Sequence, residues 1–177
     1  MSVDVWVFGY GSLIFRVDFP FCERRVARLR GFARRFWQRS PDHRGTPDAP
    51  GRVVTLVADP SASVLGVAYR VASTSAERIL ADLDERERAG YERTLVEVEF
   101  TEAPSSVTCA VVYQARRGNP GFAEDSSNQE IAAIVRRARG PSGDNASYVR
   151  SLAEALRQLG DDDPHVFEIE RLLAEVG

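Results

Sequence analysis

Apolar residues in this chain follow two patterns. Up to Gln114 they gather in short runs or alternate with polar residues, and Gly, Pro and Ser separate the runs. Beyond Ala115 they recur every three or four positions. The first pattern marks strands and the second marks helices. Val3 to Phe8 predicts a strand that breaks into the loop Phe8-Gly9-Tyr10-Gly11-Ser12-Leu13-Ile14. Phe15 to Glu23 is aromatic-rich and irregular, with Pro20 barring a helix interior. From Arg24 to Trp37, Val26, Leu29, Phe32, Phe36 and Trp37 stand among arginines and predict one or two strands. Ser40–Gly51 holds three prolines and two glycines and is read as a loop. Arg52–Ala58 and Val64–Val71 predict a hairpin turning at Asp59–Ser63.

Thr74-x-x-Glu77 has the form of a capping box, and Ala76, Ile79, Leu80 and Leu83 form one apolar stripe after it. The helix they predict ends near Gly90. Tyr91–Phe100 and Val107–Gln114 predict a strand pair joined through Pro104-Ser105-Ser106. Asn119-Pro120-Gly121 marks a turn. Ser127-x-x-Glu130 opens a helix carrying Ile131, Ile134, Val135 and Ala138, which Gly140–Asn145 interrupts. Tyr148, Leu152, Leu156 and Leu159 mark a further helix. Asp161-Asp162-Asp163 reads as a solvated linker, with metal binding as the alternative. Asp163 caps a last helix with Pro164 at its first position, and that helix carries Val166, Ile169, Leu173 and Val176. A β block with one inserted helix, then a helical third, predicts an α+β barrel-like core rather than a doubly wound sheet. The expectation is a single domain over residues 1–177.

Composition narrows the chemistry. The chain is 44% hydrophobic and 28% charged, enough for a real core. It contains no apolar run of the roughly 18 residues that a membrane helix needs. Its start lacks the layout of a signal peptide. Cys22 and Cys109 stand far apart, so a reduced, cytoplasmic protein is expected. All 23 basic residues are arginine. Without lysine there is no Schiff base, no P-loop lysine and no pyridoxal-phosphate anchor. With only His43 and His165, metal sites built from His and Cys are nearly excluded by supply. An acid or base is therefore expected to be a carboxylate. Eight arginines fall between Arg24 and Arg44. They form a nucleic-acid face, a solvated strand face or a cluster around an acidic small molecule. A net charge of −3 weighs against the first.

Two stretches carry candidate chemistry. Gly9 and Gly11 let the backbone turn and let a ligand approach without a Cβ in the way. A strand breaking into such a loop offers amides to an anion, although a plain turn between strands fits as well. Ser12 as a nucleophile has no histidine placed by sequence to activate it. In the inserted helix, rotation by about 100° per residue places Glu87 roughly 30° from the centre of the apolar stripe, and Asp84 roughly 90° off it. One carboxylate of this charged helix therefore faces inward. Either an arginine such as Arg86 pairs with it, or the helix frays before Gly90 and exposes it, or it is a general acid/base poised toward neutral pH.

Val7–Ile14, Arg34-Arg35-Phe36-Trp37-Gln38, Asp42-His43-Arg44-Gly45 and Pro50–Leu56 resemble, in order, motifs of the ChaC-type gamma-glutamylcyclotransferases. So do Gly66–Arg70, Leu83–Glu87 with Gly90-Tyr91, Asn119-Pro120 and Gly140–Asn145. The resemblance implies a mixed β-barrel of the gamma-glutamylcyclotransferase-like fold. It implies a glutathione-degrading lyase that releases 5-oxoproline and Cys-Gly. The family's catalytic glutamate maps onto Glu87, and its substrate loop onto Gly9, Tyr10, Gly11, Ser12, Leu13 and Ile14. Arg52 is taken as a carboxylate-binding candidate. Tyr91 and Tyr148 are either substrate contacts or core tyrosines with bonded hydroxyls. Phe15 stands where the family has Trp, Phe122 where a Tyr follows the Asn-Pro turn, and Ala89 replaces the first of two glycines. The Leu-Gly-Pro after that Tyr is missing. No cofactor, metal, nucleic acid or membrane is expected, only a small γ-glutamyl substrate and a monomer or weak dimer. The alternatives are another γ-glutamyl peptide or amine as substrate, or a non-catalytic binding or regulatory protein on the same scaffold.

Overall fold

The computed structural model describes residues 3–124 and 126–175; Val176, expected in the last helix, lies outside them. Five strands carry the sheet: β1 (Val5–Gly9), β2 (Glu23–Ser40), β3 (Gly51–Val71), β4 (Tyr91–Phe100) and β5 (Ala103–Ala115). They close into a barrel in the order β1-β3-β2-β4-β5. The sheet is mixed: β1 runs antiparallel to β3 and parallel to β5, with Trp6 and Val7 opposite Ala110 and Val111. Helix α1 (Ser73–Arg86) is inserted between β3 and β4. Helices α2 (Asn128–Arg137), α3 (Asn145–Leu159) and α4 (Pro164–Ala174) make up the last third.

The expected hairpin between Arg52–Ala58 and Val64–Val71 is not formed. Both segments belong to β3, and both pair with the single long strand β2. Register runs from Glu23 opposite Arg70 to Arg30 opposite Ser63, then resumes with Phe32 opposite Ala58. Gly31, at φ +79°, stands across from the extra residues of β3. Asp59 Oδ1 accepts from the Ser61 amide and hydroxyl, and Pro60 has no amide to leave unpaired. The polar stretch is a bulge in an unbroken strand. Pro104-Ser105-Ser106 also lies within a strand. The reversal occurs at Thr101-Glu102, and those three residues are the bulge between Glu99 opposite Val107 and Phe100 opposite Ala103.

Helix α1 begins earlier than the Thr74 signature predicts. Its N-cap is Ala72, with no side-chain cap of its own. Asp4, just before β1, supplies the acceptor instead, taking the Ser73 amide on Oδ1 at 3.0 Å. The helix stops at Arg86, and Glu87 is its C-cap rather than an interior residue. Ser127 and Glu130 do form a reciprocal capping box on α2. The Gly140–Asn145 interruption is a small hairpin, β6 (Arg139–Gly140) with β7 (Gly143–Asp144). Asp163 caps α4 as expected, but the aspartate triplet is no solvated linker. Asp161 and Asp163 pair with the fully buried Arg34 guanidinium, and Asp162 is exposed.

The C-terminal helices share one core with the barrel. Ile131, Val135, Leu152, Leu156 and Ile169 pack in the same cluster as Phe8, Phe36, Leu56 and Tyr69. Helix α1 covers a second, smaller cluster in which Ile79 and Leu83 meet Val7, Val71 and Val111. Tyr113 on β5 fixes its far end, donating from its hydroxyl to Asp84 Oδ1 at 2.7 Å. The end of β1 and the end of α1 are thereby brought to the same rim.

Candidate active site

A cavity of about 230 Å³ opens at that rim, between the loop after β1, the end of α1 and the Ser40–Gly51 loop. Its wall includes Gly9, Tyr10, Gly11, Ser12, Leu13, Glu87, Tyr91 and Tyr148. The loop folds as a 3-10 turn over Ser12–Ile14, closed by the Ile14 amide donating to Gly11 O at 3.0 Å. Neither Gly9 nor Gly11 has positive φ. Close approach is what requires them. A Cβ on Gly9 would lie 2.6 Å from Leu13 Cβ, and one on Gly11 2.9 Å from Val54 Cγ2 and 3.2 Å from the Tyr148 hydroxyl. Among the described residues the amides of Gly11, Ser12 and Leu13 donate to no backbone acceptor.

Glu87 sits across from this loop with its side chain 20% exposed. Burial pushes its carboxyl above the usual carboxylate range; the Arg86 and His43 charges oppose the rise, and Asp42 and Asp18 add to it. Arg86 Nε stands 3.3 Å from Glu87 Oε1. The same guanidinium donates to Ser12 Oγ at 2.9 Å and to Asp18 Oδ1 at 3.2 Å. One arginine thus ties the glutamate to the glycine loop. His43 lies between the end of α1 and the β6–β7 turn, with Nε2 3.4 Å from Arg86 O and Nδ1 3.3 Å from Ser142 Oγ.

Three tyrosines close the floor. The Tyr10 hydroxyl donates to Tyr113 O and the Tyr91 hydroxyl to Val54 O, each at 2.6 Å. Burial raises both phenols far above their ordinary range. Tyr148 is pushed up to about 12, again by burial, with the Val54 backbone opposing. All three stay neutral at physiological pH and offer oxygen lone pairs rather than charge. Arg44 lies over the Tyr148 ring, 5.3 Å from its centroid.

Two expected site residues are elsewhere. Ile14 is buried in the main core. Arg52 does not line the cavity: Asn145 clamps its main chain, accepting from the Arg52 amide at 2.6 Å and donating to its carbonyl at 2.8 Å. Its buried Nε has no partner among the described residues. His165 is remote as well. Its Nε2 accepts from the Phe36 amide at 2.9 Å, and burial lowers it to about 4.

The profile of the ChaC-like protein family matches residues 5–176. This chain belongs to the ChaC-like family. The ChaC-like chain is 40% identical to gamma-glutamylcyclotransferase 2-3 of Arabidopsis thaliana, over 93% of this chain and 86% of that protein. It is 38% identical to glutathione-specific gamma-glutamylcyclotransferase 1 of Danio rerio, over 96% of this chain and 89% of the relative. Its fold superposes on the crystal structure of a yeast gamma-glutamyl cyclotransferase specific to glutathione with a TM-score of 0.90. That match has 29% identity and covers 96% of this chain and 95% of the yeast one.

The departures of this ChaC-like chain from the family motifs fall mostly outside the cavity. Phe122 packs on Trp37, centroids 6.4 Å apart, and does not reach the wall. Phe15 packs edge-on against Tyr148 from behind. Ala89 does line the cavity. Sequence reasoning passed over Arg16, Asp18 and Ser40 and did not single out Arg39 from its arginine cluster; all four also line the cavity. They lie in irregular segments or at a strand end, where no periodicity gives a side chain a direction. No helix among the described residues is long and apolar enough to cross a membrane.

Proposed function

We propose that this protein is a cofactor-free γ-glutamyl cyclotransferase that converts glutathione to 5-oxoproline and Cys-Gly, with the chain acting as one cytoplasmic domain, monomeric or weakly dimeric. The observation that carries the reading is the meeting of the inward Glu87 carboxylate with the Gly9–Leu13 loop around one small cavity. The glutathione-specific names of the relatives supply the substrate.

The substrate's own α-nitrogen is the nucleophile. It attacks the γ-carbonyl carbon, a five-membered ring closes, and the bond from that carbon to the cysteinyl nitrogen breaks. The attacking nitrogen sheds two protons, starting as ammonium and ending as lactam N–H. The leaving nitrogen gains two and departs as ammonium. Glu87 relays protons between them, and such a group is worth about 10²- to 10⁴-fold. The cavity walls hold the glutamyl arm in its attacking conformer. Loop amides with no internal acceptor face the oxygen that becomes negative. Tyr91 and Tyr148 confine the arm from the floor. Arg86 holds Glu87 near the loop. Cys22 and Cys109 are both free and exposed, in keeping with a reducing compartment.

The test is incubation of the purified protein with glutathione, γ-Glu-Ala and γ-glutamyl-ε-lysine, with 5-oxoproline measured by mass spectrometry. Release from glutathione above the other two is the expected result. Release from another substrate instead reassigns specificity and keeps the reaction. No 5-oxoproline from any of them refutes the enzyme reading and leaves a binding or regulatory protein.

A further inference from the structure

A glycine in the loop creates a problem as well as an opening. The Tyr10–Gly11 peptide can rotate between two faces at little cost, because Gly11 has no Cβ to resist it. In one orientation the Gly11 N–H points at the cavity. In the other the Tyr10 carbonyl does, and an oxygen there repels developing negative charge. Something must select between them.

The side chain in position to do so is Arg34, in the middle of β2 and completely buried. Its Nε donates to Tyr10 O at 2.7 Å. One terminal nitrogen donates to Leu65 O at 2.5 Å. The other reaches Asp163 Oδ2 at 2.6 Å and Asp161 Oδ2 at 3.4 Å, both from the turn between α3 and α4. Among the described residues Tyr10 O accepts from no other group. The described chain contains no cis peptide, so the Gly11 N–H points opposite to the Tyr10 carbonyl. The carbonyl is drawn toward the buried guanidinium, and the amide is therefore turned toward the cavity that Gly11 lines. The planar fork of arginine suits this role, because three of its nitrogens are committed in fixed directions, which an ammonium group does not do.

We propose that Arg34, held by Asp161 and Asp163, is a positioning residue that locks the Tyr10–Gly11 peptide with its N–H facing the substrate cavity. The C-terminal helices therefore set the state of the glycine loop through one buried arginine and its two aspartates. The α3–α4 turn is a working part of the site although it contributes nothing to the cavity wall. The role in turnover rests on the cyclotransferase reading; the peptide orientation does not.

The test uses the full chain with Arg34→Lys and, separately, Asp163→Asn. Two readouts are taken: kcat/KM for glutathione, and the NMR signals of the Tyr10 carbonyl carbon and the Gly11 amide in ligand-free protein. Arg34→Lys is expected to shift both signals and lower kcat/KM by about 10²-fold, the usual loss when one preorganised donor is removed. Asp163→Asn keeps the guanidinium and the α4 cap, and is expected to move the same signals with a smaller loss of turnover. If Arg34→Lys does not fold, the Asp163→Asn result decides. A purely structural role would lower the melting temperature and leave the two signals, and the kcat/KM of folded protein, unchanged. That outcome overturns the proposal, as does a shift of the signals with unaltered turnover. Signals that shift in a wild-type protein with no cyclotransferase activity leave the peptide lock standing and remove the reaction assigned to it.

Discussion

Glu87 is stable only at a cost, and the sign of that cost is testable. Its folded-state pKa is raised by burial. Its contribution to stability is therefore complete below the unfolded value and is lost as pH rises through the folded one. At neutral pH the ionised carboxylate works against the fold. Glu87→Gln is expected to lower turnover by about 10²- to 10⁴-fold while raising the melting temperature at pH 7, a gain that disappears in acid. Arg86 opposes the shift, so Arg86→Gln should move the acidic limb of the kcat/KM profile to higher pH, as read from initial rates across a pH series. The direction of Glu87 was legible in the sequence because helix rotation assigns a face to every residue up to the cap. Pairing of Glu87 with Arg86 was one of the alternatives the sequence offered, and the two stand 3.3 Å apart. Arg34 was not legible: it is one arginine among many, and only the fold says which carboxylates and carbonyls it meets. His165 gives a second pH effect of opposite form. It is neutral when folded, lowered to about 4, and binds a proton more readily once unfolded. Stability should fall from about pH 6.5 downward by up to about 3 kcal/mol, measured by urea unfolding, and His165→Gln should flatten that slope.

At the scale of elements, Asn145 makes a polar link between β3 and α3 beside their shared apolar core. Its side chain satisfies both main-chain groups of Arg52 where the start of β3 is buried. Asn145→Ala leaves that amide and carbonyl without partners and is expected to cost about 2–3 kcal/mol, visible as a reduced denaturation midpoint. Gly51 beside it admits no side chain: a Cβ there would lie 2.6 Å from Asn145 Oδ1. Element type was readable for the main strands and the four α-helices, because alternation and three-to-four spacing report directly on which face is buried; the short β6–β7 hairpin and the 3-10 turn carry no such pattern. Connections were less so. Pro60 and Pro104 signal that the ladder is interrupted, and the sequence does not say whether the chain then reverses or bulges. That choice depends on whether a long partner strand lies alongside, and β2 does for Pro60. The Thr74 signature failed for a related reason, since Asp4 is distant in sequence and supplies the cap from another element.

Across the whole molecule, the site depends on pieces from both halves of the chain. The glycine loop follows β1, Glu87 ends α1, Tyr148 lies on α3, and the acids that hold Arg34 lie between α3 and α4. The family membership of the chain is consistent with this spread, for the motifs run through its full length. The bulge at Asp59–Ala62 is different. Gly31, its counterpart on β2, has nothing within 4 Å of where a Cβ would be, and Pro60, Ser61 and Ser63 are exposed. None of these residues lines the cavity. The longest strand of the protein therefore carries a natural port for added sequence. A flexible Gly-Ser insert between Pro60 and Ser61 is expected to leave glutathione turnover unchanged and to cost little stability, since each doubling of a loop's length adds only about 0.6 kcal/mol. Rate and melting measurements on inserts of increasing length would check this. The protein would then carry a fluorophore or an affinity handle without disturbing its chemistry.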